Sequence, residues 1–255
     1  MPSDRAVSAR RPFLTASWRY LAILNYEIPA DLLRPLVPEG TELDNFEGAT
    51  LASLVGFRFL DTRVLGYAIP GHRDFDEVNL RFYVRRRNRG GDWQRAVVFI
   101  REFVPRRAIA LIARYWYNEP YAAVPMTHEL ALDGATEGVS ARVEYRWRVG
   151  GRWHHLEVRT SGRPSFPEPG SEAEFIAEHY WGYTRQRDGR TKEYRVDHPT
   201  WRVWNADVAE LDCDVGSVYG GPFTRYLSSS PRSAVLAEGS AVTVFRGYHL
   251  TGSGQ

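Results

Sequence analysis

The stretch from Glu77 to Arg86, Glu-Val-Asn-Leu-Arg-Phe-Tyr-Val-Arg-Arg, constrains this chain more than any other because it alternates. Val78, Leu80, Phe82 and Val84 fall on one face of a strand, and Glu77, Asn79, Arg81, Tyr83 and Arg85 on the other. The apolar face buries readily. A polar face turned to solvent is the ordinary case and would mean little. Here the neighbouring downstream segments are too apolar to leave the strand at a sheet edge, so its polar face is expected to line a cavity. An acid, an amide, a guanidinium and a phenol would then meet there at two-residue spacing.

The remainder of the chain reads mostly as strands. Trp18–Ile28 is a strand, Pro29–Val37 a short helix carrying Leu32, Leu33 and Leu36, and Gly48–Phe59 a central strand apolar on both faces. Gly66–Asp76 is a loop, and Gly90-Gly91 turns the chain into Ala96–Phe103, whose apolar run is broken by Arg101 and Glu102. Pro105–Tyr117 has helical spacing, and Pro120–Pro125 is a loop containing Tyr121. Val139–Val149 and Trp153–Thr160 form a hairpin about Gly150-Gly151. Ser171 and Glu174 make a capping box for a helical stripe running on to Tyr183. Asp188-Gly189 turns a second hairpin, strand continues to Leu211, a Gly-rich loop comes next, and Ala241–Tyr248 is the last strand. With about nine to eleven strands and three short helices, the fold class is mainly β (α+β), one antiparallel β domain over residues 12–250. The arms at 1–11 and 251–255 read as flexible.

Composition excludes several functions. The formal charge of +2 supplies no basic field for nucleic acid. The run Arg85-Arg86-Arg87 with Arg89 reads as a solvated hairpin end, with phosphate contact the weaker alternative. A lone Cys213, no apolar leader and no stretch of the ~20 residues a membrane helix needs point to a cytoplasmic protein with no membrane partner. His154 and His155 point to opposite faces of a strand and the other histidines are scattered, so no metal site is expected. No phosphate-binding Gly-rich loop appears, and no cofactor is expected. The sequence is silent on oligomeric state, and a homo-oligomer is compatible with it.

Three motifs then add a resemblance. They are Glu-x-Asn-x-Arg-x-Tyr-Val at Glu77–Val84, Pro120-Tyr121 with Met126 beyond it, and Glu178-His179-Tyr180 followed after a hairpin by His198-Pro199-Thr200-Trp201. Together they resemble the YqjF-like family of uncharacterised bacterial proteins, over roughly Trp18 to Phe245. That family is similar to the acetoacetate decarboxylase superfamily, which implies a single large antiparallel β-barrel with a central cavity. The superfamily's imine-forming lysine pair falls at Arg106-Arg107 here, and arginine cannot form that imine. Lys192 is the only lysine, placed by the hairpin turn where solvation should keep its pKa near ~10.4.

These readings converge on a barrel cavity for a small organic acid or carbonyl compound, worked by a lyase or hydrolase that forms no Schiff base. Glu77 is the expected acid or base, and His198, beside Asp197, a second catalytic candidate. Asn79, Arg81, Tyr83, Arg101, Glu102 and Arg106 are expected to bind the ligand, with Arg81 orienting a carboxylate. For His198 a purely structural hydrogen bond is the commoner role for an isolated histidine, and for Arg106 an exposed first helical turn is an equally open one. The rival from another class is a non-catalytic binding or sensor protein on the same frame.

Overall fold

The structure, a computed structural model, describes residues 12–88, 90–108, 118–132 and 140–250. The expected terminal arms, Arg89, Val139 and positions 109–117 of the second expected helix lie outside the described residues. Strands dominate: β1 (Pro12–Glu27), β2 (Glu42–Leu43), β3 (Leu51–Val64), β4 (Tyr67–Ala68), β5 (Phe75–Arg87), β6 (Trp93–Val104), β7 (Tyr121–Ala123) and β8 (Met126–Ala131) come first. After them come β9 (Ser140–Val149), β10 (Arg152–Ser161), β11 (Trp181–Arg185), β12 (Thr191–Asp197), β13 (Val203–Asn205), β14 (Val208–Asp212), β15 (Ser233–Phe245) and β16 (Tyr248–His249). The α-helices among the described residues are short: α1 (Ala30–Leu33), α2 (Glu172–Ala177), α3 (Val215–Val218) and α4 (Gly221–Leu227).

The strands make two sheets. A twelve-stranded sheet runs β13-β15-β1-β3-β5-β6-β11-β12-β16, with β2, β4 and β7 paired at its sides. β12 also pairs β15 through Val196↔Val244 and Asp197↔Thr243, so the path of hydrogen bonding leads back to β15. Among the described residues, the parallel pairings are those of β7 and β11, both against β6. The second sheet, β14-β10-β9-β8, is antiparallel and packs on one face of the first.

Strand β5 sits in the middle of the large sheet and is buried on both faces. Val78, Leu80, Phe82 and Val84 join Val143, Tyr145, Trp147, Leu156 and Val158 of the smaller sheet in one core. Gly56 of β3 permits this approach, since a Cβ there would lie 2.6 Å from a Tyr145 ring carbon. The Tyr145 hydroxyl then crosses to donate to the Tyr20 carbonyl at 2.8 Å. The opposite face of the large sheet packs a second core, which includes Phe57, Phe59, Phe75, Tyr83, Tyr194 and Trp201.

Several elements differ from their sequence expectation. The stripe from Phe175 is helical only to Ala177, and Trp181–Arg185 is strand. Gly182 and its aromatic and β-branched neighbours disfavour helix, and pairing with β12 supplies the alternative. Leu33 ends the helix after Pro29, and Arg34–Leu36 continues as a 3₁₀ turn at Pro35. The Gly-rich segment forms α3 and α4, and the last long strand begins at Ser233. The Pro120–Pro125 segment holds the short β7. The hairpin about Gly150-Gly151 is present, both glycines having positive φ as a two-residue turn requires.

Gly182 lies directly opposite Tyr194, and a Cβ there would fall 2.2 Å from the tyrosine ring. Gly182→Ala is therefore expected to cost roughly 2 kcal/mol or more in urea unfolding, the range of overpacked cores. Gly221→Ala, where a Cβ meets nothing, should change stability by no more than about 0.5 kcal/mol. Equal effects at the two positions would refute the packing around Tyr194.

Candidate functional site

Three of the alternating polar residues of β5, namely Glu77, Asn79 and Arg81, line a cavity of about 160 Å³ on the inner face of the large sheet. Glu77 is 2% exposed, yet both its oxygens are partnered. Asn79 Nδ2 donates to Oε1 at 2.9 Å and the Tyr121 hydroxyl to Oε2 at 3.0 Å. Arg81 is less well satisfied. Its Nη2 makes one long contact, 3.5 Å to the Ile176 carbonyl, and its buried Nε has no hydrogen-bond partner among the described residues.

A bulge brings in the second acid. Arg81 pairs with Phe99 while Leu80 pairs with Arg101, so Ile100 is an extra residue on β6. The extra residue reverses the facing of the side chains beyond it on that strand. Phe99 and Glu102, three apart, both line the cavity, and Arg101 is exposed on the other side with its guanidinium 5.5 Å from the Phe103 ring centre. Glu102 is fully buried, and neither carboxyl oxygen has a hydrogen-bond partner among the described residues.

The third acid precedes β7. Tyr121 N–H donates to the Glu119 carbonyl across Pro120, at 2.9 Å, and the Pro120 carbonyl accepts from Glu102 N–H at 3.2 Å. This tight turn points Glu119 and Tyr121 into the same cavity, where the Tyr194 hydroxyl donates to Glu119 Oε1 at 2.6 Å. Burial raises the pKa of Glu77 to about 7 against the help of Asn79 and Tyr121. It raises Glu119 to about 7 as well. Glu102 is pushed well above the usual carboxyl range by burial and then by the charges of Glu119 and Glu77. The three acids thus titrate as one system, with Glu77 and Glu119 changing protonation around neutral pH. Among the described residues no group of three or more His, Cys, Asp and Glu is placed to hold a metal.

His179, just past α2, completes the lining. Its ring packs 4.6 Å from that of Tyr83, and neither nitrogen has a hydrogen-bond partner among the described residues. Burial and the Arg81 charge hold its pKa well below 6.5, so the imidazole is neutral.

The other expected site residues lie elsewhere. Tyr83 is buried behind the cavity wall, with its hydroxyl 2.6 Å from Ser53 Oγ. Arg106 and Arg107 are exposed. His198 stands outside this cavity, sandwiched between Trp201 at 4.1 Å and Tyr180 at 4.7 Å, beside a separate, more open hollow. Arg85, Arg86 and Arg87 engage Glu42, Glu193 and Gly91 respectively. Lys192 is not the solvated hairpin residue expected from its spacing. It lies inside β12 at intermediate exposure, and burial lowers its pKa while the Glu119 charge opposes the shift.

Sequence reasoning missed Glu119, Tyr194 and His179 as site residues. Tyr194 alternates with Val196 on the strand after the second hairpin, which is the signal that places it on one face. Glu119 offers only its position before Pro120-Tyr121, and no periodicity marks it.

With this geometry in hand, comparison places the fold. The structure is similar to acetoacetate decarboxylase from Legionella pneumophila, with a TM-score of 0.65 at 15% identity, covering 98% of this chain and 92% of that one. It is also similar to the enduracididine biosynthesis enzyme MppR complexed with pyruvate, at a TM-score of 0.67 and 14% identity over 97% of this chain and 93% of the other. The protein therefore has an acetoacetate-decarboxylase-like, mainly β fold. Residues 15–241 match the DUF2071 family of uncharacterised conserved proteins, and the chain belongs to that family. It is 29% identical to the uncharacterised protein YqjF of Bacillus subtilis strain 168 over 193 residues, 75% of each chain.

An acid whose pKa is raised on folding adds stability below its unfolded pKa, and that contribution is lost as pH rises through the folded value. For this cluster the window runs from about 4.5 to about 7. Glu102→Gln removes one of the buried charges that high pH imposes. It is expected to stabilise the protein by about 1–3 kcal/mol at pH 8.5, with the gain shrinking towards pH 5. Urea unfolding at both values measures this, and a pH-independent loss of stability would contradict the clustered titration.

Proposed function

We propose that this protein binds a small carboxylic acid or carbonyl compound inside a single β-barrel, and that Glu77 exchanges a proton with it. The barrel is our reading of the pairing path that returns through β12 to β15. The observation that carries the function is Arg81. Its guanidinium lines a largely apolar cavity, and Nε has no partner among the described residues. A buried donor left so costs about 1–3 kcal/mol, and a carboxylate is the group that a guanidinium's planar fork fits. Neutral His179 and Asn79 Oδ1, which also lacks a partner among the described residues, flank the same space.

Glu77, with a pKa of about 7, is matched to giving and taking protons at neutral pH. Protonated Glu102 is suited to donating a hydrogen bond to a carbonyl oxygen. The proton transfer is assigned to Glu77 alone, since His198 lines the separate hollow. The pyruvate complex of MppR, a similar fold, gives weight to a ligand of keto-acid chemistry. Arg106 and Arg107 are exposed and cannot form an imine, and Lys192 is not among the residues lining the cavity, so the reading includes no Schiff base; a lone cysteine makes cytoplasmic placement part of it.

The acids set the sign of the pH dependence. Protonated, they leave Arg81 as the cavity's charge; ionised, they oppose an anion. Affinity for a carboxylate ligand should fall as pH rises above 7, up to about tenfold per unit for each proton taken up. Thermal shift with small keto acids at pH 6 and pH 8.5 tests this, together with Arg81→Met, which should abolish the shift. A shift that survives Arg81→Met, or grows with pH, would overturn the reading. Binding with no turnover of any acid, and no loss of binding in Glu77→Gln, would favour the sensor.

A further inference from the structure

A proton that Glu77 gives or takes has to enter and leave the protein, and Glu77 itself is 2% exposed. Glu102 is 0% exposed, and Glu119, at 8%, is the most accessible of the three acids. The backbone sets their order. Glu102 of β6 pairs with Asn79 of β5, whose amide donates to Glu77, and on its other side with Tyr121 of β7. Glu119 stands two residues before Tyr121, across Pro120. Its carboxyl accepts from Tyr194 of β12, and Lys192 lies two positions from Tyr194 on that strand, hence on the same face. Lys192 is at intermediate exposure, whereas Tyr194 is buried. The groups that face Glu119 are thus Tyr194 and Lys192 from β12, Glu77 from β5, Glu102 from β6 and Tyr121 from β7. Taken outward from the ligand space they run Glu77, Tyr121, Glu102, Glu119, Lys192.

We propose that Glu119 is the port through which the cavity acids exchange protons with solvent, with Lys192 as its outer partner. This rests on the reading that Glu77 exchanges a proton with a ligand, and extends it to where that proton comes from. The Tyr121 hydroxyl already donates to Glu77 Oε2 at 3.0 Å. As its proton moves to Glu77, the Tyr121 oxygen takes one from the Glu102 carboxyl. Glu102 takes one from Glu119, and Glu119 is refilled from the Lys192 ammonium or from water. Each carrier ends as it began, one proton has moved inward, and the reverse sequence carries one out. Neither Glu102 oxygen accepts a hydrogen bond among the described residues, so water has to complete the steps across it, and a cavity of about 160 Å³ has room for several molecules. At the outer end, burial lowers the proton affinity of Lys192 and raises that of Glu119. The two are closer to each other than an amine and a carboxyl are in water, so transfer between them is less uphill.

Laser-induced pH jumps with infrared detection of the carboxyl C=O stretch follow this exchange without any ligand. The band that Glu77→Gln removes reports Glu77. Each variant is compared at its own titration midpoint, so that an altered affinity is not read as an altered rate. Glu119→Gln keeps an oxygen for the Tyr194 hydroxyl but carries no proton, and should slow the relaxation of Glu77 by at least about tenfold. Lys192→Met should slow it by about threefold or more. A purely structural role for Glu119 would move the stability or the midpoint and leave the rate as it was. An unaltered rate in Glu119→Gln overturns the proposal, as does a Glu77 band that does not titrate between about pH 5 and 9 in the unaltered protein. If Glu119→Gln does not fold, Lys192→Met decides alone, and an unaltered rate there overturns it. Thermal shift with keto acids judges the underlying reading separately. Slowed relaxation with no keto acid bound leaves the port standing and removes that reading, while a bound keto acid with an unaltered rate does the reverse.

Discussion

A strand buried on both faces leaves no polar side chain without consequence, and β5 is such a strand. Its apolar face is ordinary core, holding the smaller sheet in place. Its other face carries Glu77, Asn79 and Arg81 into a space whose remaining walls are largely aromatic and aliphatic. Water would satisfy these groups at no cost to the fold, so their burial needs compensation. Part of it is internal, in the bonds from Asn79 and Tyr121 to Glu77. Part is protonation, because a neutral carboxyl group is far cheaper to bury than a carboxylate. What neither supplies is a partner for Arg81 Nε or Glu102, and those are the groups that make the cavity chemically distinct from a packing defect.

The two sources of acid differ in how they are delivered. Glu77 comes from simple alternation, whereas Glu102 reaches the cavity only because Ile100 is an extra residue. Had β6 run without the bulge, the position beyond Phe99 on the cavity face would be Arg101. The cavity would then hold an arginine in place of a fully buried glutamate. A single inserted residue therefore sets the sign of the local charge. The same bulge accounts for Arg101 being exposed.

The fold was legible where its signal is local. Alternation gave β5 and the β9–β10 hairpin, and the Gly150-Gly151 pair gave the turn between them. Both faces of β3 being apolar placed it centrally, as the pairing order shows. The site was legible only on β5. Glu119 and Tyr194 are 75 residues apart in sequence, and no period within either element announces that they meet. Tyr83 has the right parity for the cavity, but the Ser53 hydroxyl and the packing of Phe175 and His179 hold it in the wall. The end of α2 at Ala177, which frees His179 to turn inward, was hidden by apolar residues that continue a helical stripe into a strand. Lys192 was misplaced for a related reason: nearness to a turn suggests solvent, while β16 and the chain at Gly247 cover it.

The balance of charge in the cavity gives the protons a part in recognition. Three carboxylates around one guanidinium would repel an anion, yet the Arg81 guanidinium keeps a donor unanswered among the described residues. The conflict disappears if the acids keep their protons at neutral pH, which their burial and mutual repulsion favour. An anion seated on Arg81 would then add a further negative charge beside them and raise their affinity for protons again. Ligand and protons would bind together, each favouring the other, by the reciprocity that any such coupling obeys. A carboxyl that holds its proton more firmly in the complex is a better hydrogen-bond donor to a carbonyl oxygen, and a weaker base. On this reasoning Glu102, with the most strongly raised pKa, is suited to polarising the ligand, and Glu77, held lower by Asn79, Tyr121 and Arg81, to moving the proton. The division of labour rests on one difference: Glu77 accepts bonds from both Asn79 and Tyr121, whereas Glu102 accepts none of hydrogen-bond geometry among the described residues and the nearby Tyr121 hydroxyl only moderates its shift.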